Sequence, residues 1–241
     1  MPQKIRAEEL ILSIDAGTQS IRAALVDLEG NILDIVKTPI QPYFSENPGW
    51  AEQQPDYYWD VLCKTTGQLL QREEPLKKNI KGVTLKTQRA TMINVDKNGK
   101  PHRPAIVRLD QRKADSRQIM PGALRPMMKT VKLLETLEGA IQDCDANWIR
   151  QQQPEILEKT YKYLVLSGFF THCLTGEFID SVANNIGYLP FNNKTYQGAW
   201  KFDFKWWIFK IGKEKLPDLI KPSEVLGQIT RKASAETGIP E

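Results

Sequence analysis

Cysteine and histidine are scarce, with three of the first and two of the second in 241 residues. Cys63, Cys144 and Cys173 are odd in number, widely spaced and set in apolar sequence, which points to a reducing compartment. His102 and His172 lie far apart, which argues against a Cys/His zinc cluster. No apolar run approaches the roughly 20 residues that cross a bilayer, and the opening MPQKIRAEE lacks the apolar centre of a signal peptide. Charge of one sign is also lacking: 33 Lys+Arg against 29 Asp+Glu leave +4, spread along the chain. Dedicated nucleic-acid modules concentrate basic charge far more strongly. Repeats, low-complexity segments and an evident linker are absent as well. What remains is ordinary globular composition, 41% hydrophobic and 26% charged, enough for one large or two small domains. The expectation is a soluble, cytoplasmic protein without a nucleic-acid or membrane partner.

Residues Leu10–Asp15 form a short apolar run ending in an acid and a glycine, and Ser20–Asp27 alternates in part. LEGN at Leu28–Asn31 is a turn signal, and ILDIVKTPI follows as a third strand that Pro39 ends. Tight connections make these three an antiparallel meander. Asp56 to Gln71 predicts a helix, capped by Asp56, with Trp59, Leu62, Cys63, Thr66, Leu69 and Leu70 as its apolar stripe. Val83–Thr87, Met92–Asp96 and Pro104–Leu109 read as strands, with a turn at Asn98-Gly99 and Asp110 at the end of the last. Beyond Asp115 the pattern turns helical, at Lys129–Leu137 and Pro154–Leu174, the latter stopped by Gly176. Lys201–Lys215 interleaves bases with aromatics, but Phe204, Trp207, Ile208 and Ile211 share one helical face, so a docked amphipathic helix is expected there. The sum is an α/β domain.

Asp15-Ala16-Gly17-Thr18-Gln19-Ser20, between two strands, is the sharpest local feature. Such a turn exposes backbone N–H groups that can cradle phosphate, with Thr18 and Ser20 adding hydroxyls. Asp15 at the strand end could hold a hydrated Mg²⁺ against those phosphates, and Arg22 could add charge if it faces the loop. The plain alternative is a hairpin whose Asp and Thr satisfy their own turn. Pro48-Gly49-Trp50-Ala51-Glu52-Gln53 could offer a ring and polar groups to a polyhydroxylated ligand, or simply anchor Trp50 in the core. Gln88-Arg89 follows a strand, where an amide and a guanidinium could bind vicinal hydroxyls. Asp110 with Arg112 ends the next strand, and ends of neighbouring strands converge in open α/β sheets. Taken singly, each of these pairs reads as an ordinary surface salt bridge. His102 reads as a solvated loop residue.

In this order, IDAGTQSIRAALVD, NPGWAEQQPDYYW, GVTLKTQRATMINVDKNGKPHRPAIVRLDQR, LTGEFIDSVANN and LPDLIKPSEVLGQITRKASAETGIP resemble the N-terminal half of the FGGY family of carbohydrate kinases, from Ile14 to Pro240. The resemblance implies a ribonuclease H-like fold of the actin and sugar-kinase superfamily: a mixed sheet opening with the three-strand meander, flanked by helices. It implies that residues 1–241 are one N-terminal, substrate-side domain. The ATP-binding lobe and the catalytic base Asp are then expected beyond Glu241, and the chain alone is expected to be inactive. Phosphate would meet Gly17, Thr18 and Ser20. Asp15 would meet Mg²⁺ through water, Asp15 and Thr18 being the catalytic pair on this lobe. A sugar or polyol would meet Gln88, Arg89 and Asp110, with Trp50 and Glu52 close by. Kinases of this family often dimerise, which leaves a homodimer open.

Two departures bear on the substrate. Ala90 stands where glycerol kinase-like members carry an acid after Gln-Arg, which argues against glycerol. Arg108 stands where many members carry Trp, and would either engage an anionic or larger substrate or face water. The alternative to a kinase lobe is a non-catalytic carbohydrate-binding or regulatory module. An actin-like filament protein would leave PGWAEQ and LTGE unexplained.

Overall fold

Every second residue of the first strand, β1 (Leu10–Ala16), is buried, so Leu10, Leu12, Ile14 and Ala16 line one face. The computed structural model describes residues 9–120, 122–184, 189–192, 195, 197–199, 203 and 205–241. β2 (Ser20–Asp27) pairs antiparallel with β1, from Leu10 opposite Asp27 to Ala16 opposite Ile21. β3 (Ile32–Pro39) returns along β2, which completes the expected meander. Its turn is set by Asp27, whose carboxylate accepts from the Asn31 backbone N–H at 2.7 Å and side-chain amide at 2.9 Å, and by Gly30 at φ 89°. β4 (Glu52–Gln53) and helix α1 (Pro55–Arg72) come next. β5 (Ile80–Thr87) then adds in parallel to β1, giving a mixed sheet ordered β3-β2-β1-β5.

α1 is capped differently from the sequence expectation. Gln54 is the N-cap and makes no side-chain cap bond, while Asp56 lies in the first turn. Pro55 at the helix start pre-sets the backbone there and needs no N–H acceptor. The stripe holds: Tyr58, Val61, Leu62, Thr65, Thr66, Leu69 and Leu70 are buried, with Trp59 and Cys63 at its margin.

β6 (Met92–Val95), β7 (Ala105–Ile106) and β8 (Lys162–Val165) join β4 in a second sheet ordered β4-β7-β6-β8. Its two faces serve two cores. Ile93, Val95, Ala105 and Leu164 pack with β1, β2 and α1, whereas Met92, Ile106, Tyr163 and Val165 pack into a second cluster. That second cluster is built with α2 (Ser116–Ile119), α4 (Leu134–Gln142), α5 (Asp145–Gln152) and α6 (Pro154–Lys159), while α3 (Leu124–Thr130) buries no side chain and lies against α4.

Four expected elements break up. Pro154–Leu174 is not one helix: α6 ends at Lys159, β8 pairs antiparallel with β6, and α7 (Leu166–Thr175) follows, ending at Gly176 with φ 81°. The run YKYLV suits a fully buried strand, and apolar periodicity alone cannot separate that from a buried helix. Lys129–Leu137 is split between α3 and α4 by Lys132, which takes a left-handed φ of 57°. Only Ala105–Ile106 of Pro104–Leu109 is strand, since the chain then turns, with Asp110 N–H donating to the Val107 carbonyl at 2.9 Å.

After α7 come β9 (Ile179–Ser181), a hairpin of β10 (Phe191–Asn192) with β11 (Gln197–Gly198), α8 (Lys205–Ile208), β12 (Asp218–Ile220) parallel to β9, and α9 (Arg231–Thr237). Among the described residues of the helix expected over Lys201–Lys215, only Lys205–Ile208 forms an α-helical turn. Ile208, Phe209 and Ile211 still enter the second core, while Phe204 lies outside the described residues. α9, capped by Thr230, docks on α1 through the Thr66 hydroxyl to the Thr237 carbonyl (2.9 Å) and Trp59 Nε1 to Glu236 (2.8 Å). Among the described residues no helix is long and apolar enough to cross a membrane, and Cys63, Cys144 and Cys173 are unbridged.

Candidate functional site

The parallel pair β1 and β5 ends on one edge, and the hairpin from Gly17 to Ser20 sits there. Gly17 N–H donates to the Ser20 carbonyl at 3.0 Å and Ile40 N–H to the Gln19 carbonyl at 3.0 Å, which leaves Thr18 and Gln19 exposed at the tip. Gly17's amide is thus spent on the turn, and Ser20 is 2% exposed, so neither is presented to a ligand as the sequence suggested. Asp15 faces out on the other side of β1 from the core. Its cross-strand neighbours are Arg22 on β2 and Lys86 on β5. Arg22 Nη1 lies 2.9 Å from one carboxylate oxygen and Lys86 Nζ 3.5 Å from the other. The carboxylate is about a third exposed and sits between two cations.

Gln88 continues from β5 on the same edge. Its N–H donates to the Ala16 carbonyl at 2.7 Å, and its side-chain amide donates to the Tyr58 hydroxyl at 2.9 Å. Burial pushes that phenol up to about 12, so it stays a neutral anchor. Arg89 is exposed, and Ala90 takes a left-handed φ of 55° before β6 begins.

Trp50, Glu52 and Asp110 are brought together, but around arginines. Gly49 (φ 80°) turns the chain so that Gln111 N–H reaches its carbonyl at 2.8 Å, while Ala51 N–H donates to Asp110 Oδ2 at 2.7 Å. Arg112 then lies across Asp110, with Nε 2.8 Å from Oδ1 and Nη2 2.7 Å from Oδ2, and its Nη1 lies 2.9 Å from Glu52. Glu52 also pairs with Arg103. The Arg112 guanidinium lies 4.3 Å from the Trp50 ring centre and 4.5 Å from that of Trp148, the two rings meeting edge to face. Glu52 and Asp110 therefore spend their oxygens on buried arginines and the Ala51 amide, where the sequence suggested either a surface pair or a ligand contact.

A mixed sheet whose carboxyl edge carries D-A-G-T-Q-S and Gln88-Arg89 has a known relative. Residues 10–241 match the N-terminal domain of the FGGY family of carbohydrate kinases. The chain belongs to that family. It is 28% identical over 234 residues to xylulose kinase of Staphylococcus epidermidis (strain ATCC 35984), covering 96% of this chain and 45% of that protein. It is 30% identical over 237 residues to glycerol kinase of Thermococcus gammatolerans, covering 97% and 47%. The chain thus spans about half the length of the curated relatives it matches. In structure it superposes on a xylulose kinase from Brucella ovis with TM-score 0.76 at 18% identity, over 97% of this chain and 47% of that one. The glycerol kinase of Plasmodium falciparum gives 0.69 at 22% identity, over 97% and 47%. The fold is that of the actin/hexokinase-like sugar kinases.

Three residues of this FGGY chain that the sequence reading passed over complete the buried cluster: Arg103, Trp148 and Asp145. Burial pushes the Asp145 carboxyl up to about 7, with nearby Asp110 adding to the rise and Arg112 and Arg103 opposing it. Burial pulls Arg103 down, while for Arg112 the carboxylates of Asp110 and Glu52 outweigh burial and raise it. Arg103, in the polar run KPHRP, gave no sequence signal of its burial. Asp145 and Trp148, on a helix remote in sequence, gave none. Among the described residues no three His, Cys, Asp or Glu side chains converge as a metal cluster.

Proposed function

We propose that this chain is the N-terminal, substrate-side lobe of an ATP-dependent carbohydrate kinase that phosphorylates a hydroxyl of a sugar or polyol. The observation carrying the reading is the shared edge: exposed Thr18, outward-facing Asp15 and the Gln88-Arg89 pair lie at the ends of adjacent parallel strands. A carboxylate held between Arg22 and Lys86 beside an exposed turn suits a transferring phosphoryl group, for which positioning and charge supply nearly all of the catalysis.

In this reading Thr18 donates its hydroxyl to the phosphoryl oxygens, Gly17 and Ser20 hold the turn in shape, and Arg22 offsets charge. Gln88 and Arg89 bind sugar hydroxyls. Trp50, Glu52 and Asp110 serve the sugar side by fixing the loop at Asp110–Arg112 beside them. Asp15 is part-exposed but has a cation on each oxygen, so it would hold Mg²⁺ through water, without direct ligation. Bound Mg²⁺ neutralises charge on the phosphates. The adenosine site and the base that deprotonates the acceptor hydroxyl belong to a second lobe, so residues 1–241 alone turn over negligibly. The protein works in the cytoplasm, and a homodimer is compatible with this role.

A coupled ADP-release assay across pentuloses, polyols and aldonates tests this, run on the 241-residue chain and on the product of its whole coding sequence. Turnover is expected only where a second lobe is present. Robust turnover by the chain alone, or none by a two-lobed product, refutes the reading.

A further inference from the structure

One row of side chains crosses the outer face of the first sheet beside the hairpin. Asp15 pairs in register with Arg22 of β2 on one side and with Lys86 of β5 on the other, and Arg22 pairs in turn with Lys37 of β3. Residues directly opposite on neighbouring strands share a face, so the row runs Lys37, Arg22, Asp15, Lys86. It holds three cations and one acid. It also lies next to the Gly17–Ser20 turn. Ala16 pairs with Thr87, and Gln88 N–H donates to the Ala16 carbonyl at 2.7 Å, which ties the end of β5 to the base of the hairpin.

The two cations on Asp15 are held differently. Arg22 Nη1 donates to Oδ2 at 2.9 Å, from a side chain 42% exposed. Lys86 Nζ lies 3.5 Å from Oδ1, beyond ordinary hydrogen-bond length, and its side chain is 82% exposed. An ion pair so exposed contributes little, because water and salt screen it. The Lys86 ammonium is a compact charge with three donors on a flexible four-carbon stem, so it can change partners without disturbing the strand. Arg22 keeps the carboxylate in place when the ammonium leaves.

We propose that Lys86 binds the transferring phosphoryl group: its ammonium leaves Asp15 Oδ1 and donates to the non-bridging phosphoryl oxygens as the group arrives beside Thr18. This rests on the kinase reading above, which gives Lys86 no task. A terminal phosphoryl group offers three oxygens and more negative charge than a carboxylate, so it is the stronger partner for an ammonium. Lys86 stays protonated and forms no covalent bond. Its contribution is charge and position, which supply nearly all of the catalysis in phosphoryl transfer. The exchange also frees Asp15 Oδ1 to accept a hydrogen bond from water. Lys37 sets the contrast, since it lies two strands from Asp15, about 10 Å, against about 5 Å for Lys86. Salt at about 0.1 M screens exposed charges over that longer distance.

The test removes one positive charge at a time from the same row. Tripolyphosphate, without added metal, is titrated calorimetrically into the 241-residue chain at about 0.1 M salt. Lys86→Met should weaken binding about tenfold, the worth of one charge-assisted hydrogen bond. Lys86→Arg should restore most of that, and Lys37→Met should change binding less than about twofold. In the two-lobed product, Lys86→Met should lower kcat at least about tenfold while the sugar KM and the urea midpoint stay put, because a contact made with the transferring group acts on kcat. Equal weakening by Lys37→Met and Lys86→Met would reveal a diffuse field and overturn the inference. Unchanged binding in Lys86→Met, or a raised sugar KM with kcat kept, overturns it too, and turnover by the two-lobed wild type then leaves the kinase reading standing. No tripolyphosphate binding by the wild-type chain overturns the phosphate site and this inference together. A two-lobed product that turns over no acceptor sinks the kinase reading alone when Lys86→Met still weakens tripolyphosphate binding.

Discussion

Removing Arg112 should damage this protein more than removing any exposed cation. Arg112→Ala takes away the partner of Asp110 and half the partnership of Glu52, whose side chains are 4% and 5% exposed. Glu52 then keeps only Arg103, and Asp110 loses its cation, with Asp145 nearby. At such burial water screens little, and breaking a buried pair costs about 3–5 kcal/mol because the orphaned charge stays enclosed. The lost stacking on Trp50 and Trp148 adds about 0.5–1 kcal/mol per ring. Against a total stability of about 5–15 kcal/mol this is a large share. For a chain of this length the sum, about 4–7 kcal/mol, corresponds to a fall of roughly 8–28 °C in Tm. Urea unfolding followed by tryptophan fluorescence reads it directly, since two of the six tryptophans flank the guanidinium. The double variant Asp110→Asn, Arg112→Met, which leaves Glu52 paired with Arg103, should recover most of the loss. A loss below about 1 kcal/mol for Arg112→Ala, or no recovery in the double variant, would refute the buried-cluster account.

Asp145 gives a pH dependence of defined sign. Its folded value, about 7, lies above its ordinary 3.8, so the folded state holds the proton more tightly; its contribution is complete below pH 4 and is lost as pH rises through 7. Asp145→Asn should therefore flatten the stability profile between pH 4 and 8 and raise stability at pH 8 by at least about 1 kcal/mol, by urea midpoints; an unchanged profile contradicts the assignment. Gly99→Ala should cost about 1–3 kcal/mol in thermal unfolding, because φ is +79° and the new Cβ would fall 2.1 Å from His172 Nε2. Adding His172→Ala should return only the steric part. Leu164→Ala, in the strand shared by both cores, should cost about 2–5 kcal/mol by the same measurement. In a two-lobed active product, Asp15→Asn should lower kcat at least about 100-fold while the urea midpoint of the chain moves little, since the carboxylate is part-exposed; a large stability loss with kcat retained would contradict its role.

Local chemistry made the opening half readable. The apolar run LILSIDA, the Asp27–Asn31 turn and the apolar stripe of α1 each satisfy one neighbouring element, so pattern and structure agree. Reading failed where burial came from both sides. YKYLV has no alternation because both faces of β8 are covered, and Ala105–Ile106 is too short to show any. Among the site residues, Asp15, Thr18, Gln88 and Arg89 lie at strand ends or in a turn, where sequence position already implies exposure. Glu52 and Asp110 looked equally polar on paper. Their fate depended on Arg103 and Arg112, and the closing wall came from Trp148, distant in sequence.

The order of residues alone thus determined which segments extend or coil, which turns close, and which family the chain joins, because hydrogen-bonding and hydrophobic demands there are met within a few residues. Only the tertiary structure decided which charged groups meet solvent and which meet one another. A carboxylate's role depends on the local dielectric and on the nearest cation, and both are set by chain segments far away along the sequence.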